Sequence, residues 1–347
     1  MMTASTMRIG GQQTPYFRNE PFSTVYRECE ERLLRTLNAP QGARAAFITG
    51  SGTAAMEAAV LNFTRVGQPI ATINGGTFGQ RFVDIAKLHG RQVTEWIVDR
   101  VQHPLRHLGV LHQSDAYAAL LINAHETSIG HLYDLRETGA FCRNTTCLHI
   151  VDAISAFGTD EIDMQSQSID VVILSSHKAL GLHPGLSMLV MSPTALGKTN
   201  PQPQSYYFSL ASMLSDGARG QTPFTPAITI MHQLQCRLSE WEAQGMHKLL
   251  SEVSALATHF RLGLLGLPLT PYSTSMSNGL TALEVPAHVS ARQIVDRLST
   301  EHQIVVAPNG GALAERIFRV GHMGHLSISD MDEVLLALST ILMEQTQ

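Results

Sequence analysis

Lys178 stands between two apolar runs, IDVVIL and LSMLVMS, in the stretch SSHKALGLHPGLS. Lysine is depleted from such settings because its ammonium loses hydration there. At the end of a strand, desolvation pushes its pKa down from about 10.4, and the neutral amine that results is a nucleophile suited to a Schiff base with an aldehyde. Three other segments also end an apolar run on polar or glycine residues. FITGSGTAAMEAA passes through Gly50, Ser51, Gly52 and Thr53, small residues that let the N–H groups of a helix N-terminus approach an anion. A tight strand–helix turn is the plainer alternative, and the lysine of a P-loop is missing. LHIVDAISAFG ends a buried strand on Asp152, a carboxylate that is costly to bury unless it meets a cation or donors; a helix N-cap is the plainer alternative. NAHETSIG clusters His125, Glu126, Thr127 and Ser128, without metal-ligand spacing to another acid or histidine.

The elements that must position these residues follow from periodicity. An amphipathic helix is predicted over 22–38. Then come a strand (RAAFITG), an alanine-rich helix (SGTAAMEAAVLNFT), a strand (QPIATIN), a helix stopped by Gly90 (FGQRFVDIAKLHG) and a strand (RQVTEWIVD). YAALLINAHE, CLHIVDAI, IDVVILSS and LSMLVMS read as further strands. Strands alternating with helices, several of them wholly apolar, indicate an α/β domain with a mainly parallel sheet covered on both faces. Residues 226–263 read as helical. A smaller α/β unit follows: GLTALEVP and QIVVAP bracket the helix SARQIVDRLSTEH, RIFRVGHMG is a strand, and SDMDEVLLALSTILMEQ is a helix with Ser329 as its N-cap. The expected division is a large domain over 1–240 and a small one over 241–347.

Composition narrows the classes. With 44% hydrophobic and 15% charged residues among 347, the chain is globular with a sizeable core. A net charge of -5 argues against a nucleic-acid binder. There is no run of 18 apolar residues, so no membrane span is expected, and the first residues do not read as a signal peptide. Cys29, Cys142, Cys147 and Cys236 form no CxxC or zinc pattern and read as free thiols of a reducing cytoplasm. Cys142 and Cys147 flank RNTT and are expected as neighbours on a loop or helix end.

In an open α/β sheet, ligands bind beyond the carboxyl ends of the strands, where all four segments could converge. A phosphate-binding turn, a buried acid and a lone lysine are the anchors that pyridoxal phosphate needs: donors for its phosphate, a carboxylate for its ring nitrogen and an amine for its aldehyde.

From about residue 10 to the C-terminus the chain resembles the class V aminotransferases of the fold-type I pyridoxal phosphate enzymes. These include alanine–glyoxylate, serine–pyruvate and 2-aminoethylphosphonate–pyruvate aminotransferases. The matching stretches are GSGTAAMEA, NGGTFGQRFVDIA, ETSIG, VDAISAFG, SSHKALGLHPGLS, QTPFTPA and RIFRVGHMG, in the family's order. The resemblance implies a large domain with a seven-stranded, mainly parallel sheet and a small C-terminal domain. It implies that Lys178 carries the Schiff base, that Asp152 pairs with the ring nitrogen, that Thr127 lies near the ring hydroxyl and that Phe78 stacks on the ring. Ser51, Gly52 and Thr53 would hold the phosphate, aided by Ser175 and His177. Thr222 and Thr225 would reach the phosphate of a neighbouring subunit, which implies a homodimer. Arg319 would clamp a substrate carboxylate, and Arg316, three residues before it, would point to the other face of its strand. Two departures stand out. No Gly-Pro segment precedes the first helix, and Thr222 occupies the region where some members place an aromatic phosphate partner.

The activity implied is amino transfer from a small amino acid or aminophosphonate to a 2-oxo acid such as glyoxylate or pyruvate. SSHK also resembles the cysteine desulfurases, so a C–S or β-eliminating lyase is the alternative, although none of the four cysteines lies in the Ser/Gly-rich loop such enzymes need. A catalytically silent binding protein with the same fold is a third reading, opposed by the intact Lys178, Asp152 and Arg319.

Overall fold

The computed structural model describes residues 1–98, 116–143 and 145–344. Asp99 of the predicted strand RQVTEWIVD, Asn144 of RNTT and Gln345 of the last predicted helix lie outside the described residues.

Helix α1 (Ala4–Gly10) leads to α2 (Glu20–Thr36), which Asn19 caps by accepting from the Phe22 N–H at 3.1 Å. Phe22, Val25, Tyr26, Cys29 and Leu33 recur at helical spacing in α2 and are buried. The larger sheet uses β1 (Arg44–Thr49), β2 (Pro69–Asn74), β3 (Gln92–Ile97), β4 (Ala119–Asn123), β7 (Leu148–Asp152), β8 (Val171–Ser175) and β9 (Leu186–Met191). Between β4 and β7 lies a short hairpin of β5 (His125–Glu126) and β6 (His131–Leu132), followed by α5 (Leu135–Cys142). The strand order is β1-β9-β8-β7-β4-β2-β3. Only β9 runs antiparallel to its neighbours. Every residue of β4, β7, β8 and β9 is buried, as expected of strands covered on both faces.

Helices α3 (Gly52–Phe63) and α4 (Thr77–Leu88) pack on the sheet. Gly79 permits the close approach of α4: a Cβ there would lie 2.7 Å from the Asn74 Cα on β2. Two short helices, α6 (Pro193–Gly197) and α7 (Leu210–Gly217), precede the long α8 (Ile228–Gln244) and α9 (Met246–Gly263). The predicted helical stretch is split at Gly245, whose φ of 85° few other residues adopt. Helix α9 contributes Leu249 to the larger core and Leu256 and Phe260 to a second one.

That second core lies under a four-stranded antiparallel sheet of order β10-β11-β13-β12. Its strands are β10 (Thr270–Pro271), β11 (Leu280–Glu284), β12 (Ala307–Pro308) and β13 (Ile317–Gly321), backed by α10 (Ala291–His302) and α11 (Ile328–Glu344). Two expectations need correction here. QIVVAP forms only the two-residue β12. Ser327, not Ser329, caps α11, because its hydroxyl accepts from the Asp330 N–H while the Asp330 carboxylate accepts from the Ser327 N–H at 2.7 Å.

Candidate active site

Strands β1, β2, β4, β7 and β8 all finish at one edge of the larger sheet, and the turn after β1, Asp152 and the Ser175–Lys178 segment sit there. Helix α3 begins directly after the turn Gly50–Ser51, and the Ser51 side chain makes no capping bond, which leaves the helix N-terminus open to an anion. Gly52 shows how tightly the segments converge. A Cβ on it would lie 2.3 Å from Ile154 Cδ1, two residues past Asp152, and 3.5 Å from the Ser175 Cβ at the end of β8. Thr53 accepts a hydrogen bond from Arg81 Nη1 at 3.0 Å, and the same guanidinium lies 4.9 Å from the centroid of the Phe78 ring. Sequence reasoning missed Arg81. The available signal was its spacing, three residues after Phe78 on one helix face.

Asp152, the last residue of β7, is only 6% exposed. One of its oxygens accepts from the Ile154 N–H at 2.9 Å and the other from Asn123 Nδ2 at 2.6 Å. Burial pushes its pKa up to about 6, the two donors and Arg81 pull it down, and Glu126 pushes it up. Lys178 lies three residues past Ser175, the last residue of β8. Burial depresses its amine most; the positive charges of Arg319 and Arg81 add to this, and Asp152 opposes it. Lys178 thus lies within electrostatic reach of Asp152, Arg81 and Arg319. Beside them, Ser175 Oγ and His177 Nδ1 are 3.0 Å apart, and burial depresses the pKa of His177.

Thr127 lies on the turn of the β5–β6 hairpin with its hydroxyl 2.7 Å from that of Ser155. The neighbouring Glu126 is fully buried and occupies the N-terminus of α4, accepting from Gly79 N–H at 2.9 Å and Ser128 N–H at 3.1 Å. His125 is kept neutral by burial, which lowers its pKa to about 3. Arg319 enters from β13: Nη1 donates to the Thr127 carbonyl at 3.3 Å and Nη2 to that of Pro308 at 2.6 Å. Its Nε is buried with no hydrogen-bond partner among the described residues. Arg316 instead pairs with Glu284 and is more than half exposed. Thr222 and Thr225 are not tied into this cluster; with Tyr207 and Phe224 they line a cleft beside β1, where Thr222 donates to the Phe224 carbonyl at 2.6 Å.

The model of the aminotransferase class-V family matches residues 11–322. The chain belongs to the class V aminotransferases. An uncharacterised aminotransferase of Methanocaldococcus jannaschii is 30% identical, with the alignment spanning 85% of this chain and 78% of that one. The alanine–glyoxylate aminotransferase of Felis catus is 29% identical over 85% of this chain and 74% of its own. The crystal structure of an alanine–glyoxylate aminotransferase from Nostoc has a TM-score of 0.90 at 23% identity, covering 98% of this chain and 92% of that one. This aminotransferase is thus a fold-type I α/β enzyme, and the lyase alternative is not favoured.

The family implies pyridoxal phosphate, and the residues fit that group. The site offers an open helix N-terminus with a cation beside it, a buried acid with no ion pair among the described residues, and an amine depressed by burial. These match the phosphate, the ring nitrogen and the aldehyde in turn.

Proposed function

We propose that this aminotransferase moves an amino group from a small amino acid or aminophosphonate to glyoxylate, pyruvate or a similar 2-oxo acid, with pyridoxal phosphate held at Lys178. The observation that carries the reading is the convergence at one sheet edge of the Gly52 turn on Ile154, just past Asp152, and on Ser175, just before Lys178, with Arg81 on Thr53 and Arg319 of β13 on the Thr127 carbonyl. The Felis catus relative is named for alanine and glyoxylate, which supports the substrate class.

When bound, the cofactor supplies an aldehyde that exchanges amines and a ring that withdraws electrons. Lys178 Nζ, poised toward its neutral form by burial, is the nucleophile toward that aldehyde. With the cofactor bound, the same Nζ would be the base that holds and moves the substrate's α-proton. Asp152 keeps a proton on the ring nitrogen by remaining its anionic partner. Phe78, with Arg81 against it, would cover a face of the ring, and the Thr127 hydroxyl would serve the ring hydroxyl. Ser51, Gly52, Thr53, Ser175 and His177 bind the phosphate. Arg319 receives the substrate carboxylate in its planar fork, and its partnerless Nε supports that role.

Thr222 and Thr225 lie apart from Lys178, which fits a role at the phosphate of a second subunit, so a homodimer is part of the proposal. Four free thiols fit a cytoplasmic protein. The test is a panel of amino donors, including 2-aminoethylphosphonate, offered with glyoxylate or pyruvate. Acceptor-dependent formation of glycine or alanine is expected. Release of ammonia or sulfide without any acceptor would overturn the reading.

A further inference from the structure

Asn123 and Asp152 close two adjacent parallel strands, β4 and β7, and are register partners. Their backbones are joined just beyond, where the Ala124 N–H donates to the Asp152 carbonyl at 2.8 Å. Both side chains are buried, Asn123 being 2% exposed. The amide Nδ2 lies 2.6 Å from Asp152 Oδ2, and its orientation follows from chemistry, since an ionised carboxylate can only accept. The Asn123 Oδ1 has no partner among the described residues, so the fold leaves one buried acceptor unsatisfied while keeping the donor on Asp152.

We propose that Asn123 is a positioning residue for Asp152, whose amide holds the carboxylate ionised and fixes its plane toward the ring nitrogen of the cofactor. The inference rests on the reading that Asp152 faces that nitrogen. A neutral amide suits the task because it favours the charged form without bringing a competing positive charge. The other groups acting on Asp152 are the Ile154 N–H, which also donates, Arg81 on α4, which favours the anion, and Glu126 on β5, which opposes it. Lys178, beyond β8, is coupled to it as well. Burial outweighs them, so a single donor from the next strand bears directly on whether the carboxyl is charged near neutral pH.

The test uses Asn123→Leu, which removes the donor at similar volume, and Asn123→Asp, which keeps the shape and adds a like charge. In the cofactor-free protein, 13C-carboxyl aspartate NMR, assigned with Asp152→Asn, follows the Asp152 carboxyl. Its midpoint should rise by about one pH unit in Asn123→Leu, and the upper midpoint of the carboxyl pair should rise further in Asn123→Asp. Pyridoxal phosphate should bind about tenfold more weakly at pH 7.5, and kcat should fall about tenfold while KM for the amino acid stays within about twofold. Unchanged midpoint and affinity in folded variants, with only a lowered Tm, would overturn the proposal and make the contact purely structural. If Asn123→Leu does not fold, the isosteric Asn123→Asp decides by the same criteria. Failure of the underlying reading looks different: Asp152→Asn itself would then leave cofactor affinity and turnover unchanged.

Discussion

Arg319 on the four-stranded sheet donates to the Thr127 carbonyl on the turn of the β5–β6 hairpin, 3.3 Å away. Alongside it, Asn309 Nδ2 donates to the Ser128 carbonyl at 2.6 Å. The turn of the β5–β6 hairpin thus receives two donors, one from β13 and one from the residue after β12, and contacts to backbone oxygens hold the guanidinium in place. A substrate carboxylate would meet a preset fork, and little ordering would be lost on binding.

Arg319→Ala should lower kcat/KM at least 30-fold for amino acid and oxo acid alike, since truncating one partner of a buried charge pair costs about 2–5 kcal/mol. Cofactor affinity should change little. Arg316→Ala, which breaks only an exposed pair with Glu284, should leave both half-reactions near wild type. The reverse pattern would move substrate binding to the other arginine.

Lys178→Ala should lose the visible Schiff-base absorbance and the borohydride-trapped cofactor seen with the wild type. Turnover should fall by roughly a thousandfold or more, because the nucleophile and the base are lost together. Wild-type rates in this variant would remove Lys178 from the chemistry.

Asp152 makes the cofactor-free protein pH-sensitive. Its folded pKa, about 6, lies above the unfolded value near 3.8. The stability it contributes is therefore full below about 3.8 and is lost as pH rises through about 6. Asp152→Asn mimics the neutral acid. Its cofactor-free form should be more stable than wild type at pH 8 by an amount on the order of 2 kcal/mol, and that gap should close toward pH 4. Thermal unfolding of both proteins across this range reads the difference. With cofactor, the same variant should turn over at least about 100-fold more slowly, since an amide cannot keep the ring nitrogen protonated.

Thr225→Val should weaken pyridoxal phosphate binding if the cleft beside β1 serves a second subunit, and dilution should weaken it in the wild type as well. Sedimentation alongside cofactor titration tests both. A fully active monomer with concentration-independent affinity would count against the shared site.

How much was legible in the sequence follows from the range of the interactions. Helices and strands announce themselves through local periodicity and apolar runs, so α2, α3, α4 and the mostly apolar, fully buried β4, β7, β8 and β9 could be read directly. Lys178, Asp152 and the Ser51–Thr53 turn stood out because each places a polar or small residue at the end of an apolar run, a conflict visible within ten residues. Helix α5 and the real cap of α11 were missed or misplaced, because a short helix carries little periodic signal and two nearby serines compete for one cap. The partners of the site residues were a different matter. Arg81 reaches Thr53 across 28 residues of sequence, Asn123 reaches Asp152 across 29, and Arg319 reaches Thr127 across 192. Nothing in local pattern encodes such pairs, because they exist only once strand order brings β4 beside β7 and chain folding lays β13 over the hairpin turn. The sequence alone singled out the residues proposed to carry chemistry; the tertiary structure decided which donors and charges surround them, and hence the direction of their protonation, because burial and distance to a partner are properties of the packed chain.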